Sequence, residues 1–481
     1  MKARLTWFSD DEMARIHEAS LKVLANVGVR ADSKKALDIL KANGAKVNYD
    51  TKIAFISRDL VEEALKVMPK TVVYGARNPK YDYILDKRKA HFTACGYDIP
   101  YIIDLETGER RRSRNEDLVR MVRIADYLDN YDEVWVEGAS SDLPAPIQRI
   151  TSFVTALRNT EKHISHEALD ADEAKFMIEI AATIVGGRKE LKKRPLFSVE
   201  QSVVSPLKLD EGPVEAAMEF GAAGIPILIV GMPVPGTTAP ATITGTMLIA
   251  NTEWLAQLVV LQLANPGAPV IYAQIPCGGN YSTGAVIESP ESLLFRVGVA
   301  DMAHRYYDVP CMGYGANTSA KLLDIQAGNE KGQSLLVCAL VASDVLPGGG
   351  ELDDALCYSL EAMVIDNEIA GEVFRFVENF EVNDDTLALD VIREVGPGGH
   401  FLEQQHTLEN YKNMWRATIS DKGTFASWKE NGSKPLDNVA AEKVREILAT
   451  HKPQPIPEDV DKEVSKIYEK AKSGLLRKAE A

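Results

Sequence analysis

Between residues 133 and 350 a short apolar run returns every ~30–45 residues, and each run is followed by a longer stretch with helical spacing. The runs fall at 133–138, 162–166, 196–203, 225–232, 269–274, 309–315 and 343–350. Stretches such as IQRITSFVTALRN, ADEAKFMIEIAATIV and TGTMLIANTEWLAQLVVLQLA separate them. Continuously apolar strands alternating with helices predict a parallel sheet buried on both faces. Seven βα units are visible. An eighth strand is offered either by HFTAC (91–95) or by GHFLEQ (399–404), and the pattern does not choose between them. A doubly wound open sheet is the alternative. The number of consecutive units, and the lack of a glycine-rich phosphate turn after the first, favour closure into an α/β fold of the TIM (β/α)8 type.

The flanks read differently. Ser9 and Asp10 open a helix with Met13, Ile16, Leu21 and Leu24 on one face, and Gly28 stops it. Two further helices and a hairpin turning at Thr107-Gly108 follow, so residues 1–116 form an N-terminal helical and β extension. Residues 117–420 hold the barrel. Residues 421–481 are charged and helical around the break PQPIPED, and form a C-terminal helical extension.

Composition narrows the function. The chain of 481 residues carries 54 Lys and Arg against 70 Asp and Glu, a formal net charge of −16. Binding to phosphate backbones or anionic lipid needs a basic face, so no nucleic acid and no membrane partner are expected. Cys95, Cys277, Cys311, Cys338 and Cys357 include no C-x-x-C pair. That predicts neither a disulfide framework nor a zinc knuckle, and favours a reducing, cytoplasmic setting.

In a barrel of this kind the chemistry sits just beyond the carboxyl ends of the strands. Those ends offer Trp135 and Glu137, His166, Glu200 with Gln201, Tyr272 with Gln274, Tyr314 with Asn317, and Glu351. Tyr97 follows the HFTAC run. No H-E-x-x-H is present, and His163 and His166 point to opposite sides of a strand, so no metal is expected. Lys321 is the nearest candidate for a Schiff-base lysine. Gly348-Gly349-Gly350 and Gly396-Pro397-Gly398-Gly399 lack the pattern of a phosphate cradle and read as turns, or as places where backbone must approach a ligand or partner closely.

Several long segments then add a family. LVRMVRIADYLDNYDEVWVEG, NTEKHISH, GTTAPATITGTMLIANTEWLAQLVVLQLANPGAPVIY, GANTSAKLLDIQAGNEKGQSLLVCALVASD, SLEAMVIDNEI and VGPGGHFLEQQHTLENY resemble the trimethylamine methyltransferase family over nearly the whole chain. The resemblance implies a TIM barrel that removes a methyl group from a methylated amine and passes it to cobalt(I) of a separate corrinoid protein. The archetype uses pyrrolysine. This chain holds only the standard twenty residues, and so resembles the branch without it, whose assigned members act on quaternary amines. Glycine betaine is the leading expectation, followed by proline betaine, carnitine and γ-butyrobetaine. The corrinoid (cobalamin) would come with the cognate partner protein, with no cofactor held tightly by this chain, and a homo-oligomer is expected. A different barrel enzyme of the lyase type, or a betaine-binding protein without catalysis, are the competing classes.

A quaternary ammonium leaves as a neutral amine, so its demethylation needs neither a general acid nor a metal, and no catalytic residue is assigned. Aromatic walls bind such a cation while excluding water. Tyr97, Trp135, Tyr272 and Tyr314 are the candidate walls. His166, Gln274 and Asn317 are candidates for the far carboxylate of a betaine. Glu200 is a carboxylate near the axis that must be paired or used.

Overall fold

The computed structural model describes residues 4–94, 99–136 and 140–480. Within them a parallel sheet of seven strands forms the centre: β1 (His91–Ala94), β2 (Tyr131–Trp135), β3 (His163–Glu167), β4 (Phe197–Val203), β5 (Ile227–Gly231), β6 (Val270–Tyr272) and β7 (Val345–Gly349). They run in the order β6-β5-β4-β3-β2-β1-β7. Residues 311–312 close the ring through parallel bridges Tyr272↔Cys311 and Met312↔Val345. Met312 N donates to Tyr272 O at 3.0 Å, and Gly313 N to Val345 O at 3.0 Å. The result is a TIM barrel with eight staves, the seventh of them short. The eighth strand left open by the sequence is HFTA. Residues 399–404 lie beyond the last barrel helix and form no strand.

Among the described residues, eight helices alternate with the staves, from Asn115–Tyr127 to Leu360–Val377. Local chemistry sets their ends. Asp170 caps Ala171–Val185 by accepting from Asp172 N and Glu173 N. Gly186 (φ 86°) and Gly224 (φ 75°) stop two helices in the left-handed conformation that glycine adopts without a Cβ clash. Helix Ile243–Ala264 has an apolar surface on all sides and is long enough to cross a membrane, but it is mostly buried inside the protein. Its outer face is covered by the N-terminal helices Asp10–Asn26, Lys34–Ala42 and Arg58–Val67. Asn251 in that helix donates to Ser20 Oγ at 2.8 Å and to Tyr307 Oη at 3.0 Å, tying the two layers together.

The two ends of the barrel carry different additions. At the foot, a hairpin of Val72–Tyr74 and Tyr83–Leu85 joins its buried side chains Val72, Tyr74 and Leu85 to the inner cluster that holds Leu228, Ile271, Met312 and Val345. At the mouth, the expected hairpin of Tyr101–Ile103 and Arg110–Arg112 joins Glu351–Leu352 and Cys357–Tyr358 in a four-stranded sheet. Gly348 and Gly349 lie at the end of β7 rather than in a turn, and what they approach closely is the protein's own chain. Gly348 has φ +124°, and a Cβ there would lie 1.9 Å from Gly315 O.

The C-terminal helices Leu436–Thr450 and Glu458–Glu480 run back along the outside of the barrel. The first buries Ala440, Val444 and Ile447 at helical spacing. Ile447→Ala is expected to destabilise the protein by about 2 kcal/mol, the low end for a buried Ile-to-Ala change, because the helix lies on the outside where neighbours can relax. Urea denaturation gives the number, and an unchanged midpoint would show that the helix is not docked in solution.

Candidate active site at the barrel mouth

Strand alternation decides which candidates point into the barrel. Val199 packs in the outer core, so Ser198, Glu200 and Ser202 face the axis. Ser202 Oγ donates to Glu200 Oε1 at 2.9 Å. Glu133 and Trp135 share the inner face of β2, with Trp135 fully buried among the inner residues and nearer the mouth. Its backbone N–H donates to Thr93 Oγ1 at 3.0 Å. Beyond the short stave, Met312 is inward. Gly313 faces Ser343 and Cys338, so Tyr314 returns to the inside.

Tyr314 Oη donates to Glu351 Oε2 at 2.7 Å. Burial pushes the Glu351 carboxyl up to about 7, while the Tyr314 bond and the charge of Lys331 pull it back. Behind this pair Lys331 Nζ meets Asp366 Oδ2 at 2.8 Å and Ala316 O at 2.9 Å, and Gly350 N donates to the same Asp366 oxygen at 2.7 Å. One buried ion pair therefore fixes both loops that carry the Tyr314–Glu351 contact. Alternation along the staves puts Trp135, Glu200 and Tyr314 on their inner side, and Glu351 is bonded to Tyr314.

The other candidates lie elsewhere. Tyr272 and His166 belong to the outer face of the sheet, one residue out of phase with the inward positions. Tyr272 packs against Trp254, 4.7 Å between centroids with the rings tilted by 41°, and donates to Asn251 Oδ1 at 3.1 Å. His166 Nε2 lies 2.8 Å from Ser152 Oγ on the neighbouring helix, and burial holds the ring's pKa down near 3, so it is neutral. Gln274 is also outward. It donates to Ile229 O at 2.9 Å, and its Oε1 is the atom that a Cβ at Gly231 would strike. Asn317 Nδ2 donates to Glu288 Oε2 at 2.9 Å, and Arg296 grips Glu288 with both guanidinium nitrogens, so Asn317 anchors its loop. The structure places these four with the protein partners just named and off the inner face of the staves. Tyr97 lies outside the described residues, as does Glu137. Lys321 is exposed, donates to Ser319 O and pairs with Asp353 at 3.2 Å, which places it in solvent at the surface rather than among the inward side chains. Lys321→Ala should leave turnover within about twofold, as for a surface change. A loss of activity trapped by borohydride would instead identify an imine chemistry.

The floor of the barrel was not anticipated. Glu133 accepts from Tyr83 Oη at 2.8 Å and is fully buried, which raises its pKa to about 8. Ser165 and Ser198 Oγ are 2.6 Å apart, and His163 links Ser198 Oγ (3.1 Å) to Gly75 O (2.6 Å) while stacking on Tyr74 at 3.9 Å. The signal was in the sequence: Glu133 lies two residues before Trp135, on the same face.

Among the described residues, one cluster has donor atoms close enough for a metal. His304, Cys311 and Asp344 place theirs within 4.8 Å of one another. It sits at the foot, in the outer core. Asp344 there already accepts from Lys87 N (2.7 Å), Cys311 N (2.9 Å) and His304 Nε2 (2.8 Å). This closed hydrogen-bonded set joins the short stave to β7, and it lies at the opposite end from the mouth. The four described cysteines, Cys277, Cys311, Cys338 and Cys357, are free.

A TIM barrel with an aromatic and carboxylate-lined mouth defines an enzyme of the barrel class. Sequence comparison makes this particular: residues 2–475 match the family model for Trimethylamine methyltransferase (MTTB), and the chain belongs to that family. It is 32% identical over 466 residues to Trimethylamine methyltransferase MttB of Desulfitobacterium hafniense (strain DSM 10664 / DCB-2), covering 97% of this chain and 94% of that one. It is 30% identical to Glycine betaine methyltransferase of Desulfitobacterium hafniense (strain Y51), with 94% of each covered. The crystal structure of the Methanosarcina barkeri Monomethylamine Methyltransferase (MtmB) superposes with a TM-score of 0.53 at 13% identity, covering 99% of this chain and 89% of that one, which shows the shared fold. The protein is a methyltransferase.

Proposed function

We propose that the protein takes a methyl group from a quaternary amine, glycine betaine foremost, and passes it to cobalt(I) of a corrinoid carried by a cognate partner protein in the cytoplasm. The observation that carries this reading is the buried mouth in which Trp135 and Tyr314 face the axis. The near-full-length similarity to Glycine betaine methyltransferase supports it. The corrinoid supplies a strong nucleophile that accepts the methyl group.

The chain's own residues do the rest. The C–N bond breaks and its electron pair stays on nitrogen, so glycine betaine becomes dimethylglycine and no proton is moved. The positive charge on nitrogen fades as the bond breaks. A full negative charge clamped on it would therefore hold the substrate more tightly than the transition state. Ring faces attract the cation more gently, and the burial of Glu351 keeps that carboxyl partly neutral near pH 7. The ring walls also exclude water from the reacting centre.

The test incubates purified protein with cob(I)alamin and a panel of glycine betaine, proline betaine, carnitine, γ-butyrobetaine and trimethylamine. Methylcobalamin growth in the visible spectrum, with a demethylated amine found by mass, is the expected result for a betaine. Transfer from trimethylamine alone would overturn the substrate class. Tight binding without transfer would make the chain a binding protein.

A further inference from the structure

Soon after β6 ends at the mouth, the chain turns into a further hairpin, Gly278–Asn280 paired antiparallel with Ala285–Ile287. Its base and its tip are held in opposite ways. At the base, Gly278 N donates to Ser292 Oγ at 3.0 Å and Ser292 Oγ to Ile287 O at 3.1 Å, so both strands hang on the helix Pro290–Ala300. Glu288 N donates to Ser319 Oγ at 2.9 Å and to Asp354 Oδ1 at 3.1 Å, which ties the base to the loops after the short stave and after β7. Arg296 and Asn317 hold the Glu288 carboxylate. At the tip, residues 281–285 are all exposed, Tyr281 at 69%. Among the described residues, one hydrogen bond leaves the tip for another element: Tyr281 Oη donates to Pro235 O at 3.0 Å, in the loop after β5. The two loops touch where glycine leaves room. A Cβ at Gly236 would stand 3.2 Å from Tyr281 Cε1, and one at Gly279 would stand 2.8 Å from Val234 Cγ1.

We infer that residues 278–287 form a flap on the barrel mouth, hinged at its base and latched shut by Tyr281. A single neutral hydrogen bond favours one state over another by about fivefold, so the latch holds the closed form and still lets it open. The buried bonds at the base do not have to break when the tip swings. This role rests on the proposed reading of the mouth as the place of methyl transfer. A site that excludes water during the reaction needs a part that moves aside to admit the amine, and loops that close over a substrate do both.

Two measurements on the full chain test the flap. Tyr281→Phe removes the latch alone. In hydrogen exchange, the amides of 279–287 should then exchange about fivefold faster, while those of Pro290–Ala300 keep their rate. An unchanged hairpin, or an acceleration shared equally by that helix, overturns the inference. The second measurement locks the flap reversibly. A Cβ at Gly279 has Val234 Cγ1 as its one neighbour within 4 Å, so Val234 Cβ, one bond further on, stands just beyond 4 Å. That lies inside the window of about 3.5–4.5 Å for the Cβ atoms of a disulfide. Val234→Cys combined with Gly279→Cys should therefore cross-link on oxidation, seen by mass as the loss of two hydrogens, with oxidised wild type as the control. Glycine betaine, followed by calorimetry, should bind the reduced form and not the oxidised one, and dithiothreitol should restore binding. Failure to cross-link, or equal binding by both forms, overturns the inference. A reduced form that takes up no glycine betaine counts against the proposed substrate and not against the flap, which the exchange rates then decide.

Discussion

Tyr314→Ala lowers kcat/KM for a quaternary ammonium substrate by about 30-fold, the equivalent of the ~2 kcal/mol that a desolvated cation gains over an aromatic face. The ring is the inward-facing member of the short seventh stave's loop, and it is fixed by its bond to Glu351. Tyr314→Phe keeps the face and loses only the hydroxyl. It is expected to retain most of the activity while shifting the pH profile, because Glu351 loses the donor that draws its pKa down. Steady-state kinetics on both variants separate the two effects. Full activity in Tyr314→Ala would remove this ring from the binding wall, and equal losses in both variants would assign the hydroxyl, not the ring.

Raising the pH from 6.5 to 8 destabilises the fold by several kcal/mol, because each carboxyl that keeps its proton only in the fold costs about 1.4 kcal/mol for every pH unit climbed. Glu133 is raised to about 8, and Glu173, Glu253 and Glu351 to about 7, in each case chiefly by burial. A carboxyl that stays protonated in the fold but ionises in the unfolded chain contributes stability that is fully present below its unfolded value. That contribution is lost as the pH climbs through the folded value. His163 and His166 act in the opposite sense. Burial holds them near 3, so they weaken the fold as the pH falls below 6.5. The two histidines therefore offset part of the carboxyl loss on the acid side and none of it above neutrality. Calorimetric Tm values should drop steeply between pH 6.5 and 8, and Glu133→Gln should flatten that drop. A Tm that holds or rises across the window would mean these carboxyls ionise inside the fold.

The barrel was legible because a stave and its helix leave a local record, an apolar run followed by helical spacing. The runs at 225–232 and 269–274 contain β5 and β6. Phase was harder to read. Opposite faces for His163 and His166 follow from spacing alone. Which of them looks inward depends on Ser165 and Ser198 meeting across two strands distant in sequence. Tyr272 was misread for that reason: its partners Asn251, Trp254 and Tyr307 come from two other elements. Trp135 and Tyr314 were chosen as rings near strand ends, and the structure turns both inward. The floor hairpin left no sign of its destination, since Val72–Tyr74 carries the same alternation that any half-exposed strand would show.

The hairpin of Val72–Tyr74 and Tyr83–Leu85 stoppers the barrel from below, with Tyr74 and Leu85 wholly enclosed. A vessel closed at one end has a single door. Under the proposed reaction the amine must enter before the methyl acceptor arrives to cover that opening, and the demethylated product waits until the acceptor has gone. The kinetics would then follow a compulsory order, with product inhibition competitive against the amine alone.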